Sequence, residues 1–108
     1  MQTTNTSVLA RRARIDGGYA TLPYEAGWAA EAVFFIQAEG EHPDLTVATE
    51  VSPDGINWIR RGTPVVLAAS HSLAELPLVV FGSWLRLSVV GASPAAPARV
   101  LIHLTLKG

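Results

Sequence analysis

The sequence predicts an all-β fold, an antiparallel β-sandwich of jelly-roll type with about eight short strands. Three observations carry this. Apolar and polar residues alternate along several stretches, the period-2 signature of half-buried strands. Runs of Gly, Pro, Asp, Asn and Ser interrupt the chain at spacings of roughly ten residues. Leu45 to Trp58 reads as a complete hairpin: a strand, a tight turn and the start of a return strand. At 108 residues the chain is a single domain, residues 1–108, of a size that buries a core without disulfides or metal.

Residues 1–7 are polar and rich in Thr and Asn. They are expected to form an N-terminal arm, either frayed or added to a neighbouring subunit. Ser7 to Ile15 is a strand carrying Arg11, Arg12 and Arg14. Charge of that density either marks an anion-binding patch or blocks unwanted pairing at a sheet edge. Asp16-Gly17-Gly18 is a turn, Tyr19 to Tyr24 a short extended piece, and Glu25-Ala26-Gly27 a loop. Trp28 to Ala32 contains good helix formers, but Val33-Phe34-Phe35-Ile36 favours strand, so a strand is expected over about Ala30 to Ala38.

Leu45, Val47, Thr49 and Val51 alternate with Thr46, Ala48 and Glu50. Ser52-Pro53-Asp54-Gly55 then supplies the turn. Pro53 fixes φ, Asp54 bonds its own backbone, and Gly55 takes positive φ. Trp58 is expected to re-enter the apolar layer, with Ile56 to Arg61 as the return strand, broken at Gly62-Thr63-Pro64. Val65–Ala69 and Leu73–Val80 are further apolar segments. A helical turn at Leu73–Leu76 would be stopped by Pro77. Trp84 to Val90 alternates cleanly, with Leu85, Leu87 and Val89 on one side. Gly91 to Pro97 reads as a hairpin connection to the last strand, Arg99 to Lys107, whose Val100, Ile102, Leu104 and Leu106 share a face.

Composition narrows the function. With no cysteine there is no disulfide, thiolate metal site or cysteine nucleophile. A net charge of −1 gives no reason to expect nucleic acid as partner. No apolar run is long enough to span a membrane, and residues 1–7 lack the features of a signal peptide, so a cytoplasmic or particle-associated location is expected. Charged residues make up only 16% of the chain, against about 25% in a typical soluble domain. Either the strands are apolar on both faces or another subunit covers part of the surface.

His42, His71 and His103 lie at no metal-ligand spacing, and no nucleophile motif or phosphate-cradling loop is present, so neither metal, cofactor nor catalysis is expected. The aromatic residues are the better candidates. Trp28, Trp84 and Tyr24, with Arg86, could anchor an interface or stack on sugar rings, while Ser52, Asp54, Gly55 and Trp58 build the turn.

Ser52-x-Asp54-Gly55-x-x-Trp58 resembles the hairpin of discoidin-type (coagulation factor 5/8 type C) and related galactose-binding-like jelly rolls. Trp84-Leu85-Arg86-Leu87-Ser88-Val89 is similar to their aromatic-x-Arg strand, followed by a short loop and a last strand. The resemblance covers the second half of the chain. It implies a minimal jelly-roll sandwich and transfers no ligand-binding residue, because the first half has no counterpart. The architecture is also similar to that of phage, virus-like and shell decoration proteins.

Two functions are therefore expected. One is a non-catalytic structural protein that forms homo-oligomers and builds or decorates a larger assembly, with Val- and Leu-rich strand faces and Trp84 or Trp28 as anchors. The other is a carbohydrate-binding module with Trp28, Tyr24 and Trp84 as platform and Arg86 or Asp54 bonding glycan hydroxyls.

Overall fold

Alternation along the strands sets the layers. In the computed structural model, which describes residues 3–79 and 81–108, every regular element is a strand. They are β1 (Thr4–Ile15), β2 (Tyr19–Ala20), β3 (Tyr24–Glu25), β4 (Glu31–Glu39), β5 (Leu45–Ser52), β6 (Ile59–Leu67), β7 (Leu73–Val79), β8 (Trp84–Val90) and β9 (Ala98–Lys107). One sheet has the order β1-β9-β4-β7 and the other β2-β8-β5-β6, with β3 also pairing with β8. All pairings are antiparallel. If β2 and β3 count as one interrupted strand, the two sheets interleave as in a jelly roll.

The inward rows fill the core. Phe34, Ile36, Leu45, Leu67, Leu85, Leu87, Ile102 and Leu104 are fully buried. Each such side chain contributes roughly 1.5–3 kcal/mol. Tyr24 closes one side of the sandwich. Its hydroxyl lies 2.8 Å from Ser7 Oγ and accepts from Asn5 Nδ2 at 3.3 Å, tying β3 in one sheet to β1 in the other.

Several expectations are corrected. The polar segment from Thr4 to Ser7 is part of β1, with Thr4 opposite Lys107 and Ser7 opposite Leu104 of the same chain; Met1 and Gln2 lie outside the described residues. Gly62-Thr63-Pro64 does not break the return strand. Thr49 faces Arg61 and Val47 faces Val65, so these three residues form an irregularity inside β6. Gly62 adopts φ 79° there, and the edge position of β6 spares Pro64 a ladder bond. β8 and β9 are not a hairpin, because they belong to different sheets and Gly91–Pro97 crosses between them. Leu73–Leu76 is strand, with Pro77 tolerated on the edge strand β7; the expected end of that strand at Val80 lies outside the described residues.

The edge strands are blunted. β1 carries two register shifts, and Arg12 sits in the second of them with φ 51°. Its side chain pairs with Glu39 at 3.0 Å while its carbonyl accepts from Arg99 Nη1 at 2.8 Å. Arg14 pairs with Asp16 at 3.0 Å. Two of the arginines of β1 are thus held in ion pairs, Arg12 reaching Glu39 of β4 and Arg14 the nearby Asp16.

Candidate functional site

Two surfaces stand out: a tryptophan-bearing end and the outer face of the β1-β9-β4-β7 sheet. The first holds most of the residues singled out from the sequence. Ser52 faces Trp84, and Trp84 faces Glu25, so the ends of β5, β8 and β3 meet there.

The Ser52–Trp58 turn is self-contained. Ser52 Oγ donates to Asp54 Oδ1 at 2.9 Å and accepts from the Gly55 N–H at 2.8 Å. Asp54 Oδ1 also accepts from the backbone N–H groups of Ile56 and Asn57, each at 2.9 Å. Asp54 Oδ2 accepts from Asn57 Nδ2 at 2.8 Å. The Asn57 and Ile56 backbone donors, then the Asn57 amide and Ser52 hydroxyl, hold the Asp54 carboxyl well below the usual carboxylate range. Gly55 is needed twice. It takes φ 80°, and a Cβ there would lie 3.4 Å from the Trp84 ring.

Trp58 is not a core residue. It lies half-buried outside the buried cluster, with the Arg86 guanidinium carbon 4.3 Å from its ring centroid. Arg86 Nε donates to Glu50 Oε1 at 2.6 Å, across the β5–β8 pairing. Glu50, Arg86 and Trp58 therefore form one clamp that holds the hairpin against the sheet. Trp84 is half-buried, and Trp28 is 45% exposed beside Gly108.

Of the glycan platform expected from Trp28, Tyr24 and Trp84, the tyrosine is tied up within the chain. Tyr24 packs against the core and spends its hydroxyl on Ser7 and Asn5. Both Asp54 oxygens and the Arg86 Nε are committed internally.

The histidines are dispersed. His42 is buried, its Nδ1 2.7 Å from the Pro43 carbonyl oxygen and its Nε2 2.6 Å from that of His71, so it joins two loops. It also lines a cleft of about 480 Å³ with Glu41, Pro43, Ala95, Ala96 and Pro97. His103 lies on the outer face of β9, far from both in the topology. Among the described residues no three His, Cys, Asp or Glu side chains gather to hold a metal, and no helix is long and apolar enough to cross a membrane.

The second surface was not singled out residue by residue from the sequence. Register aligns its rows across the sheet. Thr6, Thr105, Val33 and Pro77 form one row, Val8, His103, Phe35 and Glu75 the next, and Leu101, Gln37 and Leu73 a third. All are exposed or half-buried. Charge gathers at the margins, with Lys107 opposite Glu31 at one end, Arg99 opposite Glu39 at the other, and Glu75 on the edge strand β7. A neutral centre inside a charged rim is the anatomy of a protein interface. Neither Trp84 nor Trp28, the expected anchors, belongs to these rows. The signal available in the sequence was the unbroken run Ala32–Ile36, which is apolar on both faces of β4.

Comparison with known proteins follows from this fold. The crystal structure of the PBSX exported protein XepA superposes with a TM-score of 0.74 at 15% identity, over 94% of this chain and 36% of that one. A structure of infectious bursal disease virus, Gx strain, gives 0.55 at 10% identity, over 98% of this chain and 32% of that one. This chain thus spans about a third of each. A family 29 carbohydrate-binding module gives only 0.45 at 12% identity, over 97% of this chain and 89% of that one, a likeness that carries no argument. At these identities the matches speak for the jelly-roll sandwich alone. No curated protein matches in sequence. Residues 28–107, most of the sandwich, match the family described as "Domain of unknown function (DUF6385)", and the chain belongs to that family.

Proposed function

We propose that this domain is a non-catalytic structural module that associates with further copies of itself through the outer face of the β1-β9-β4-β7 sheet. The observation that carries this is the apolar centre of that face, with Leu73 exposed and Val33, Phe35 and Leu101 half-buried inside a charged margin. Four strands about 4.8 Å apart and about 30 Å long present about 570 Å². Two such faces bury about 1,100 Å², just above the floor of about 1,000 Å² for a specific interface. The low charge content agrees with a surface that is partly covered. The same fold occurs within an exported protein of PBSX and in a virus, which suits a module of a particle or appendage rather than a catalyst.

A carbohydrate-binding role, suggested by the discoidin-type turn, has weaker support because the Tyr24 hydroxyl is spent on Ser7 and Asn5 and Asp54 is committed to its turn. The test is solution mass by light scattering on a size-exclusion column. The wild type is expected to form oligomers at micromolar concentration. Phe35→Asp, a change on a half-exposed side chain, is expected to give a folded monomer. A wild type that stays monomeric as its concentration is raised would overturn the reading.

A further inference from the structure

The register of the outer face specifies how two copies meet. β9 and β4 are the central strands of that sheet and lie side by side. On these two central strands the basic residues, Arg99 and Lys107, are on β9 and the acidic residues, Glu39 and Glu31, are on β4; Arg14 of β1 and Glu75 of β7 flank them. The pairing places Lys107 level with Glu31 and Arg99 level with Glu39. Among the described residues no ion pair joins Glu31 to Lys107 or Glu39 to Arg99; Glu39 pairs with Arg12, and Arg99 Nη1 donates to the Arg12 carbonyl.

From this the geometry points to a two-fold dimer of this chain, its axis running parallel to the strands, between β9 and β4 and about 5 Å above the sheet, half the usual sheet separation. Such an axis leaves position along the strands unchanged and exchanges left for right. β9 of one copy then lies over β4 of the other, row for row. Lys107 meets the second copy's Glu31, Arg99 meets its Glu39, and His103 covers its Phe35. Both of these charge contacts are of opposite sign and each occurs twice, while Glu75 at the β7 edge lies over the second copy's Val8. The alternative two-fold, with its axis across the strands, stacks unlike rows and sets Arg99 against Lys107 with the strand order preserved. Face-to-face sheets crossing at about 30° accept the first arrangement without rearrangement. The inference rests on the self-association proposed above and adds its geometry.

The test uses single charge reversals at exposed positions. Glu31→Lys alone creates two Lys–Lys contacts, and Lys107→Glu alone creates two Glu–Glu contacts. Each variant is expected to dimerise at least about tenfold more weakly than wild type, given symmetric doubling of the contact. An equimolar mixture of the two restores opposite charges at both contacts and is expected to recover wild-type affinity as a heterodimer. That recovery also demonstrates that both variants are folded. If wild type associates and each single variant associates equally well, the axis is wrong while self-association stands. If the mixture is no tighter than the single variants, the axis is likewise wrong. If wild type is monomeric at every concentration, the functional reading itself fails.

Discussion

Replacing Arg86 with Ala tests whether the Glu50–Arg86–Trp58 clamp holds the hairpin. The pair is short, 2.6 Å, and its side chains are only 28% and 19% exposed. Exposed pairs contribute about 0.2–1 kcal/mol, whereas breaking a fully buried one costs about 3–5 kcal/mol. The Glu50–Arg86 pair lies between these limits, and the contact with Trp58 adds about 0.5–1 kcal/mol. Arg86→Ala is therefore expected to destabilise by about 2 kcal/mol, because it also leaves the Glu50 carboxylate half-covered and unpaired. For a domain of this length that lowers Tm by about 8 °C. Urea unfolding followed by tryptophan fluorescence reads the effect directly, since Trp58 loses its cation. A double-mutant cycle with Glu50→Ala is expected to give a coupling energy of about 1 kcal/mol. The more exposed Arg12–Glu39 pair, at 68% and 33%, is the control, expected to change stability by less than about 0.5 kcal/mol. Zero coupling between positions 50 and 86, or a loss no larger than the control's, would refute the clamp.

Two further perturbations follow from the turns. Asp54→Asn keeps the shape of the turn and removes its charge. Because the folded-state pKa of Asp54 is depressed, its stabilisation is complete above the unfolded value of about 3.9 and fades as pH falls below it. The stability gap between wild type and Asp54→Asn, measured by urea unfolding, is therefore expected to be constant at neutral pH and to shrink in acid. A gap that widens in acid would contradict the hydrogen bonds assigned to this carboxylate. Gly91→Ala is expected to cost at least about 3 kcal/mol, from a φ of 120° and a Cβ pressed into the Asp44 carbonyl oxygen. Gly62→Ala, at φ 79° with open space around it, is expected to cost only about 1 kcal/mol, and urea unfolding of both glycine variants checks the difference.

What could be read from the sequence was what local chemistry decides. β8 and β9 were legible because each alternates strictly, with one row wholly apolar and the other mixed, and β5 because Leu45, Val47 and Val51 alternate with Thr46, Ala48 and Glu50. The Ser52–Gly55 turn was legible because its residues satisfy one another within four positions. Gly62-Thr63-Pro64 misled because a bulge on an edge strand and a strand break use the same residues. The sheet change between β8 and β9 was hidden, since a loop of seven residues, Gly91–Pro97, serves equally as a hairpin or a crossing. Trp58 was placed in the core on hydrophobicity, but its partner Arg86 lies on another strand. The outer face proposed for self-association was invisible for the same reason. It exists only once β4 and β9, distant in sequence, fix their register.

That register also constrains how the chain reaches its native state. β1 pairs with β9 from Thr4 opposite Lys107 to Ile15 opposite Ala98, and β9 is the strand that separates β1 from β4. The middle of this sheet is thus the last strand to emerge during synthesis. Until it arrives, β1 has no neighbour in its own sheet and β4 has only β7. Closure waits on contacts between opposite ends of the sequence, which places folding toward the slow, millisecond-to-second end of the range. Through that interval the edges of β1 and β4 both stand open, because the bulges that blunt β1 are register shifts against β9 and form only with it, and β4 relies on β9 for cover.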